Sequence, residues 1–318
     1  MTNRLRFLST GCLAAACATF GIGVADLKAT WSERALTTID VLRRPVSQIL
    51  INDAPEIIIG SSAQLHQLFA RWTYDLASAR KRERAVPRFY IRALPDDLAS
   101  LEPLAARKAL FLLAVRPQML CVNERILRHR AALLELSERQ HTGGTFNIAA
   151  TKWLAKMGEL YGVDAPIKNI KEMLRRVDIV PPSLALAQTA AETGWGTSRF
   201  AVEGQALFGQ WTFSERVHGM IPGERTGTST HRVRSFSRLI ESVWGYTVNL
   251  NSHKAYAGFR ERRAAIRAAG QTPRGDDLAA ELVPIRSKGR LTSRSSAALS
   301  PRMTWARSTP PASIECLS

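Results

Sequence analysis

The chain has 318 residues, 45% of them hydrophobic and 22% charged. This excludes a disordered or collagen-like chain and leaves enough length for a sizeable core. A net charge of +17 points to acidic surroundings: nucleic acid, an anionic membrane or an acidic cell-wall polymer. The four cysteines, Cys12, Cys17, Cys121 and Cys316, contain no CxxC pair, so a disulfide scaffold, a zinc ribbon and a thioredoxin-like site are all excluded.

The amino terminus reads as an export signal. Arg4 and Arg6 precede an uncharged run from Phe7 to Ala25, and Gly23-Val24-Ala25 is a tolerable small-x-small cleavage site. The run is also just long enough for a retained membrane anchor. Cys12 and Cys17 sit in faint lipoprotein-like contexts, but neither has Leu three residues before it. A buried amino-terminal helix is the plain alternative.

Residues 26–85 are expected to be helical, with an apolar run at Ile57–Ile59 and a charge cluster at Arg80–Arg84. Leu94-Pro95-Asp96-Asp97 opens a turn or a helix. Arg107–Leu120 is a strongly apolar helix that Pro117 should kink or end. Val122–Leu136 repeats apolar residues at helical spacing. Ser137–Thr145, with Gly143-Gly144, is the expected linker. Ala149–Tyr161 and Ile167–Val177 read as two more helices. No strand is expected before about residue 228, where Thr228–Phe236 alternates loosely enough for one arm of a hairpin. Ser237–Asn251 returns to helical period, and Arg260–Ala269 is a helix stopped by Gly270. The fold class is mainly α with a small β element.

The stretch that carries chemistry is Pro181-Pro182-Ser183-Leu184 through Glu192-Thr193-Gly194-Trp195-Gly196-Thr197-Ser198. Ser183 can cap a helix with Leu184, Ala187, Gln188 and Ala191 on one buried face. Glu192 then lies about 80° round from Leu184, at the edge of that face and in the last turn. The negative end of the helix dipole and partial burial both disfavour a charged carboxylate there, which suits a general acid. A surface Glu near a helix end is the bland alternative. Ten of the 23 aromatic residues fall within residues 195–259, and that enrichment fits a glycan groove as well as a core.

The alanine-rich helix, Glu-x-Gly-Trp-Gly-x-Ser at 192–198 and Leu207-Phe208-Gly209 resemble the glucosaminidase domain of glycoside hydrolase family 73. Phe208-Gly209-Gln210-Trp211-Thr212, His231-Arg232-Val233-Arg234-Ser235-Phe236, Glu241-Ser242-Val243 and Asn249-Leu250-Asn251-Ser252-His253 are similar to the bacterial Bax-like proteins of that group. The resemblance spans roughly residues 86–283. It implies a lysozyme-like, two-lobed domain that cleaves β-1,4 bonds after N-acetylglucosamine in peptidoglycan glycan strands. By the same resemblance Glu192 would protonate the leaving oxygen. The second acid is sought among Glu224, Glu215 and Glu203, with Glu224 first because it precedes the expected strand. Solvated loop charge is the bland reading for all three. Trp195, Phe208, Trp211 and Tyr246 are the expected substrate-binding residues.

The expected organisation is a signal or anchor at 1–25, a helical region at 26–140, the glucosaminidase domain at 141–283 and an atypical tail at 284–318. That tail departs from the family. Residues 285–318 hold eight Ser, six Lys or Arg and one acid, without helical period, as a frame shift near Val283 would produce. A non-catalytic peptidoglycan-binding protein is therefore the alternative function, and a lytic transglycosylase the rival chemistry. The arginines are spread without a basic-aromatic motif, so nucleic acid is not an expected partner. No HExxH, His/Cys cluster or Gly-rich phosphate loop occurs, so no metal or cofactor is expected. The protein is expected in the periplasm, free or anchored to the inner membrane.

Overall fold

The computed structural model describes residues 54–81, 86–222 and 232–285. In chain order it runs β1 (Glu56–Ile57), α1 (Ser62–Arg71), α2 (Leu76–Lys81), β2 (Tyr90–Ile91), a 3-10 turn at Asp96–Ser100, α3 (Leu104–His141) and α4 (Ile148–Tyr161). It continues through α5 (Ile170–Arg176), α6 (Pro182–Thr193), α7 (Arg199–Gly204), β3 (Trp211–Thr212), β4 (Gly219–Met220), β5 (Arg232–Arg234), α8 (Leu239–Ser252), α9 (Ala257–Ala268) and α10 (Gly275–Leu278).

The core is organised around α3, a helix of 38 residues. The sequence reads as two helices parted near Pro117, and the structure corrects this. A proline inside a helix removes one hydrogen bond and crowds the carbonyl four residues back, at a cost of about 3 kcal/mol. Here Leu113 to Leu120 is buried without interruption. Each fully buried Leu, Val or Met is worth about 1.5–3 kcal/mol, so packing outweighs the proline. Helices α1, α5, α6 and α8 all pack on α3. The expected linker shrinks accordingly: α3 runs to His141 and α4 starts at Ile148, capped by the Asn147 side chain, which accepts from the Ala150 amide at 2.8 Å.

Strands were the least legible elements. β1 and β2 pair in parallel, with Glu56 opposite Tyr90. β3, β5 and β4 form an antiparallel sheet in that order, with Val233 between Trp211 and Met220. Strands of two or three residues show no alternation, which is why those before residue 228 escape a reading by period. Only residues 232–234 of the expected hairpin arm fall in a described strand. The architecture is mainly α with small sheets, the lysozyme-like class the resemblance implies. Among the described residues no helix is long and apolar enough to cross a membrane.

The first strand also braces the later half of the fold. Glu56 accepts from Arg92 at 3.0 and 3.2 Å and lies 3.5 Å from Arg238. The Leu239 amide donates to the Arg92 carbonyl at 2.8 Å. The start of α8 is thereby tied to β1 and β2, and α8 carries Tyr246.

Candidate active site

The start of α6 differs from expectation. Pro181 occupies the cap position without a side-chain bond, Pro182 opens the helix, and Ser183 lies inside it. Proline suits this position because its fixed φ is already helical and its missing N–H is not needed there. The buried face also differs. Leu184 is buried as expected and Gln188 half-buried, but Ala185, Leu186, Thr189, Ala190 and Thr193 are also buried, whereas Ala187, Ala191 and Glu192 are exposed. The alanines near Glu192 thus mark the open side of α6, and Glu192 stands on it without the partial burial expected. The misreading has a physical source: small alanines serve equally in a core and along an open face, so period alone could not assign the side.

Three consecutive residues after α6 have left-handed backbone: Gly194 (φ 57°), Trp195 (φ 63°) and Gly196 (φ 82°). Glycine tolerates this, but a bulky residue such as Trp195 is strained there. The loop is held by Thr193, which is 1% exposed. Its hydroxyl donates to the Thr189 carbonyl at 2.6 Å and accepts from the Gly196 amide at 2.8 Å. Its carbonyl accepts from Thr197 and Ser198 at 3.0 and 2.9 Å. Gly196 has no room for a side chain, since a Cβ would come within 2.7 Å of the Phe111 ring. A threonine ending a helix carries no local signal of this role, which only its partners reveal.

The Trp195 ring is half-buried. It meets the Phe111 edge at 6.2 Å, and the Lys108 ammonium sits 4.9 Å from its centroid. One face of this expected sugar platform is therefore covered by a cation from α3.

Beside Glu192 the structure gathers a compact set. Gln188 precedes it by one turn of α6. The Tyr246 hydroxyl on α8 donates a hydrogen bond to the Gln188 amide oxygen. Phe208 stacks on Tyr246, with ring centroids 3.8 Å apart and planes 7° from parallel. Tyr246 is buried and Phe208 only partly so, which makes Phe208 the reachable ring and Tyr246 its support. Burial, and to a lesser degree the nearby Tyr256, push the Tyr246 phenol well above its ordinary pKa, so it stays protonated as a donor. Gly209 faces Glu192: a Cβ there would lie 4.0 Å from Glu192 Oε2, an ordinary contact distance. The Gly209 φ of 55° is what favours glycine there. The loop is pinned where the Leu207 amide donates to Ser242 Oγ at 3.0 Å and where the Arg234 amide donates to the Gln210 carbonyl at 2.7 Å.

The remaining expected residues are mostly exposed. Trp211 is 49% exposed on β3, and Phe213 and Ile221 are also open. Glu203 is exposed and lies 3.7 Å from Arg199. Glu215 is exposed in the loop after β3. Glu224 lies outside the described residues.

An exposed carboxylate at a helix end, facing a loop with an aromatic stack and joined to a small sheet, calls for comparison with known proteins. The family described as mannosyl-glycoprotein endo-beta-N-acetylglucosaminidase matches residues 167–275. The protein bax of Escherichia coli K12 is 33% identical over 202 residues, covering 62% of this chain and 70% of the relative. The chain belongs to the Bax-like proteins with a glucosaminidase domain. No solved structure matches. The family match begins just before α5, so β1 to α4, including the central α3, lie outside it while forming much of the core around the matched elements.

Proposed function

We propose that this protein is an exported peptidoglycan glycosidase that cleaves β-1,4 bonds after N-acetylglucosamine. The observation that carries the reading is the placement of Glu192: exposed at the end of α6, opposite Gly209, with the Phe208–Tyr246 stack beside it. Glu192 would donate its proton to the leaving glycosidic oxygen. Gly209 leaves space for a sugar next to the carboxyl, and Phe208 offers a ring for that sugar to rest on. The oxocarbenium-like transition state then needs a second group, which is a carboxylate or the substrate's own acetamide. Glu224 is the chain's first candidate. The high positive charge favours retention on a wall polymer whose peptide stems carry carboxylates. The basic start and apolar run at 4–25 support export.

A second reading keeps the wall as ligand without turnover. It draws on the departure from the family after Val283. Incubating the protein with purified sacculi separates the two: release of new reducing ends supports the glycosidase, and binding without release supports the second reading. Anhydro sugar ends would assign the chemistry to a transglycosylase.

A further inference from the structure

The α5–α9 side of the molecule concentrates positive charge beyond the carboxylates that meet it. Asp178, just after α5, is buried and faces three guanidinium groups. Arg267 binds it through both oxygens at 2.9 and 3.1 Å, Arg130 lies at 3.7 Å and Arg263 at 4.0 Å. Glu172 pairs with Arg176 at 2.7 Å and Arg175 at 3.5 Å. Arg260 stands in the field of Arg175, Arg176, Glu172 and Glu261. Six arginines thus share Asp178, Glu172 and Glu261.

The inner members are satisfied structurally. Arg263 is fully buried and donates to the carbonyls of Arg175, Arg176, Asp178 and Ile179 and to Asn251 Oδ1. Arg260 donates to the carbonyls of Leu250 and His253. Burial lowers the Arg263 pKa to about 10, with Asp178 opposing and the neighbouring arginines adding to the fall, so it stays cationic at neutral pH. The outer members are different. The Arg175 side chain is 50% exposed. Lys171 is exposed one turn earlier on the same side of α5, and Lys168 is exposed just before the helix. Arg175 joins the arginine cluster through Glu172, and Lys171 and Lys168 are its exposed neighbours along the chain. Charges held in a low-dielectric interior act further outward than charges fully bathed in water, so an anion docking on this rim gains from both layers.

We propose that the Lys168–Lys171–Arg175 rim is a docking site for the carboxylates of peptidoglycan stem peptides, distinct from the Glu192 site. The inference rests on the functional reading above. Glu192 lies ten residues along α6 from Pro182, a helical rise of about 15 Å. The rim lies on and just before α5, a different helix from the one that carries Glu192, and a wall polymer repeats its stem carboxylates along its length.

The test is sedimentation of the full chain with intact sacculi at low and high salt, using Lys171→Glu/Arg175→Glu and the milder Lys171→Gln/Arg175→Gln. The control is Lys152→Glu/Lys156→Glu, which makes the same charge change at the same spacing on exposed positions of α4. The proposal expects the Glu pair to weaken low-salt binding by about tenfold, the Gln pair by less, and the control by about twofold at most. On glycan strands stripped of stem peptides, the rim variants and wild type should bind alike. Equal weakening by rim and control pairs would overturn the proposal, because net charge alone would explain binding. Unchanged sacculus binding by the rim pairs would overturn it too, including when they lose binding to anionic lipid vesicles instead. These outcomes read binding only, so they are independent of whether Glu192 turns over substrate.

Discussion

The Tyr246 hydroxyl on α8 donates to the amide of Gln188 on α6, one turn before Glu192. This bond joins the helix bearing the candidate acid to the helix bearing the aromatic support. Tyr246→Phe keeps the stack with Phe208 and leaves Gln188 without its donor. The expected result is a loss of about 1 kcal/mol in urea unfolding together with a fall in turnover. Phe208→Ala should instead raise KM, and it should also cost about 1 kcal/mol or more of stability, because it removes the stack on Tyr246. Steady-state kinetics on solubilised glycan strands, beside urea titrations, check both.

Thr193 is the next test. Thr193→Val keeps the shape and removes the hydroxyl that serves the Gly196 amide and the Thr189 carbonyl. A buried amide left without a partner costs about 1–3 kcal/mol. Because the same hydroxyl holds the strained Trp195 loop beside Glu192, turnover should fall as well. Thr193→Ser restores the hydroxyl and should recover most of it. Recovery of stability without activity would place the effect in packing alone.

How much of this was readable beforehand depended on length and on long-range contact. The helices at 148–161, 239–252 and 257–268 repeat apolar residues over several turns, and the sequence marks them within a few residues. The family motif singles out Glu192 and Phe208, and the structure places both at the Gly209 loop. The side of α6 that faces outward was not readable, since Ala187 and Ala191 suit either environment. The continuity of α3 through Pro117 was not readable either, because the compensation comes from elements distant in sequence. The two-residue strands β1 to β4 are fixed by pairing partners and carry no local pattern. The covering of Trp195 by Lys108 depends on α3, far away in the chain.

A buried histidine sets an acid limit on stability. His129 on α3 is fully buried, has no hydrogen-bond partner on either ring nitrogen among the described residues, and meets the Trp153 ring at 6.0 Å. Burial first, then Arg125 and Arg128, push its pKa down to about 3. The unfolded chain takes up this proton near pH ~6.5, while the folded chain does not. Its contribution is therefore fully present above pH ~6.5 and declines by about 1.4 kcal/mol per unit as pH falls toward 3. Urea midpoints measured from about pH 7 down to about pH 5 should drop for wild type and drop less for His129→Leu. Parallel slopes would assign the acid sensitivity to other groups.

Arg263 anchors the turn between α5 and α6 through carbonyl groups at the end of α5 and in the turn itself. Arg263→Met fills similar volume but leaves those carbonyls and Asp178 short of a partner. Breaking such a buried charged network costs about 3–5 kcal/mol. The expected result is a large fall in the urea midpoint, against a small one for Arg262→Met, which replaces an exposed neighbour on α9.

The most direct test of the functional reading is mass spectrometry of products released from purified sacculi by the full chain, beside Glu192→Gln. Glutamine keeps the size of the side chain and removes its transferable proton. The account predicts muropeptides ending in reducing N-acetylglucosamine for the wild type and their loss in the variant, with sacculus binding retained by both. Equal product from the two proteins would contradict the assignment of Glu192 as the acid, and no product from either would contradict the glycosidase reading itself.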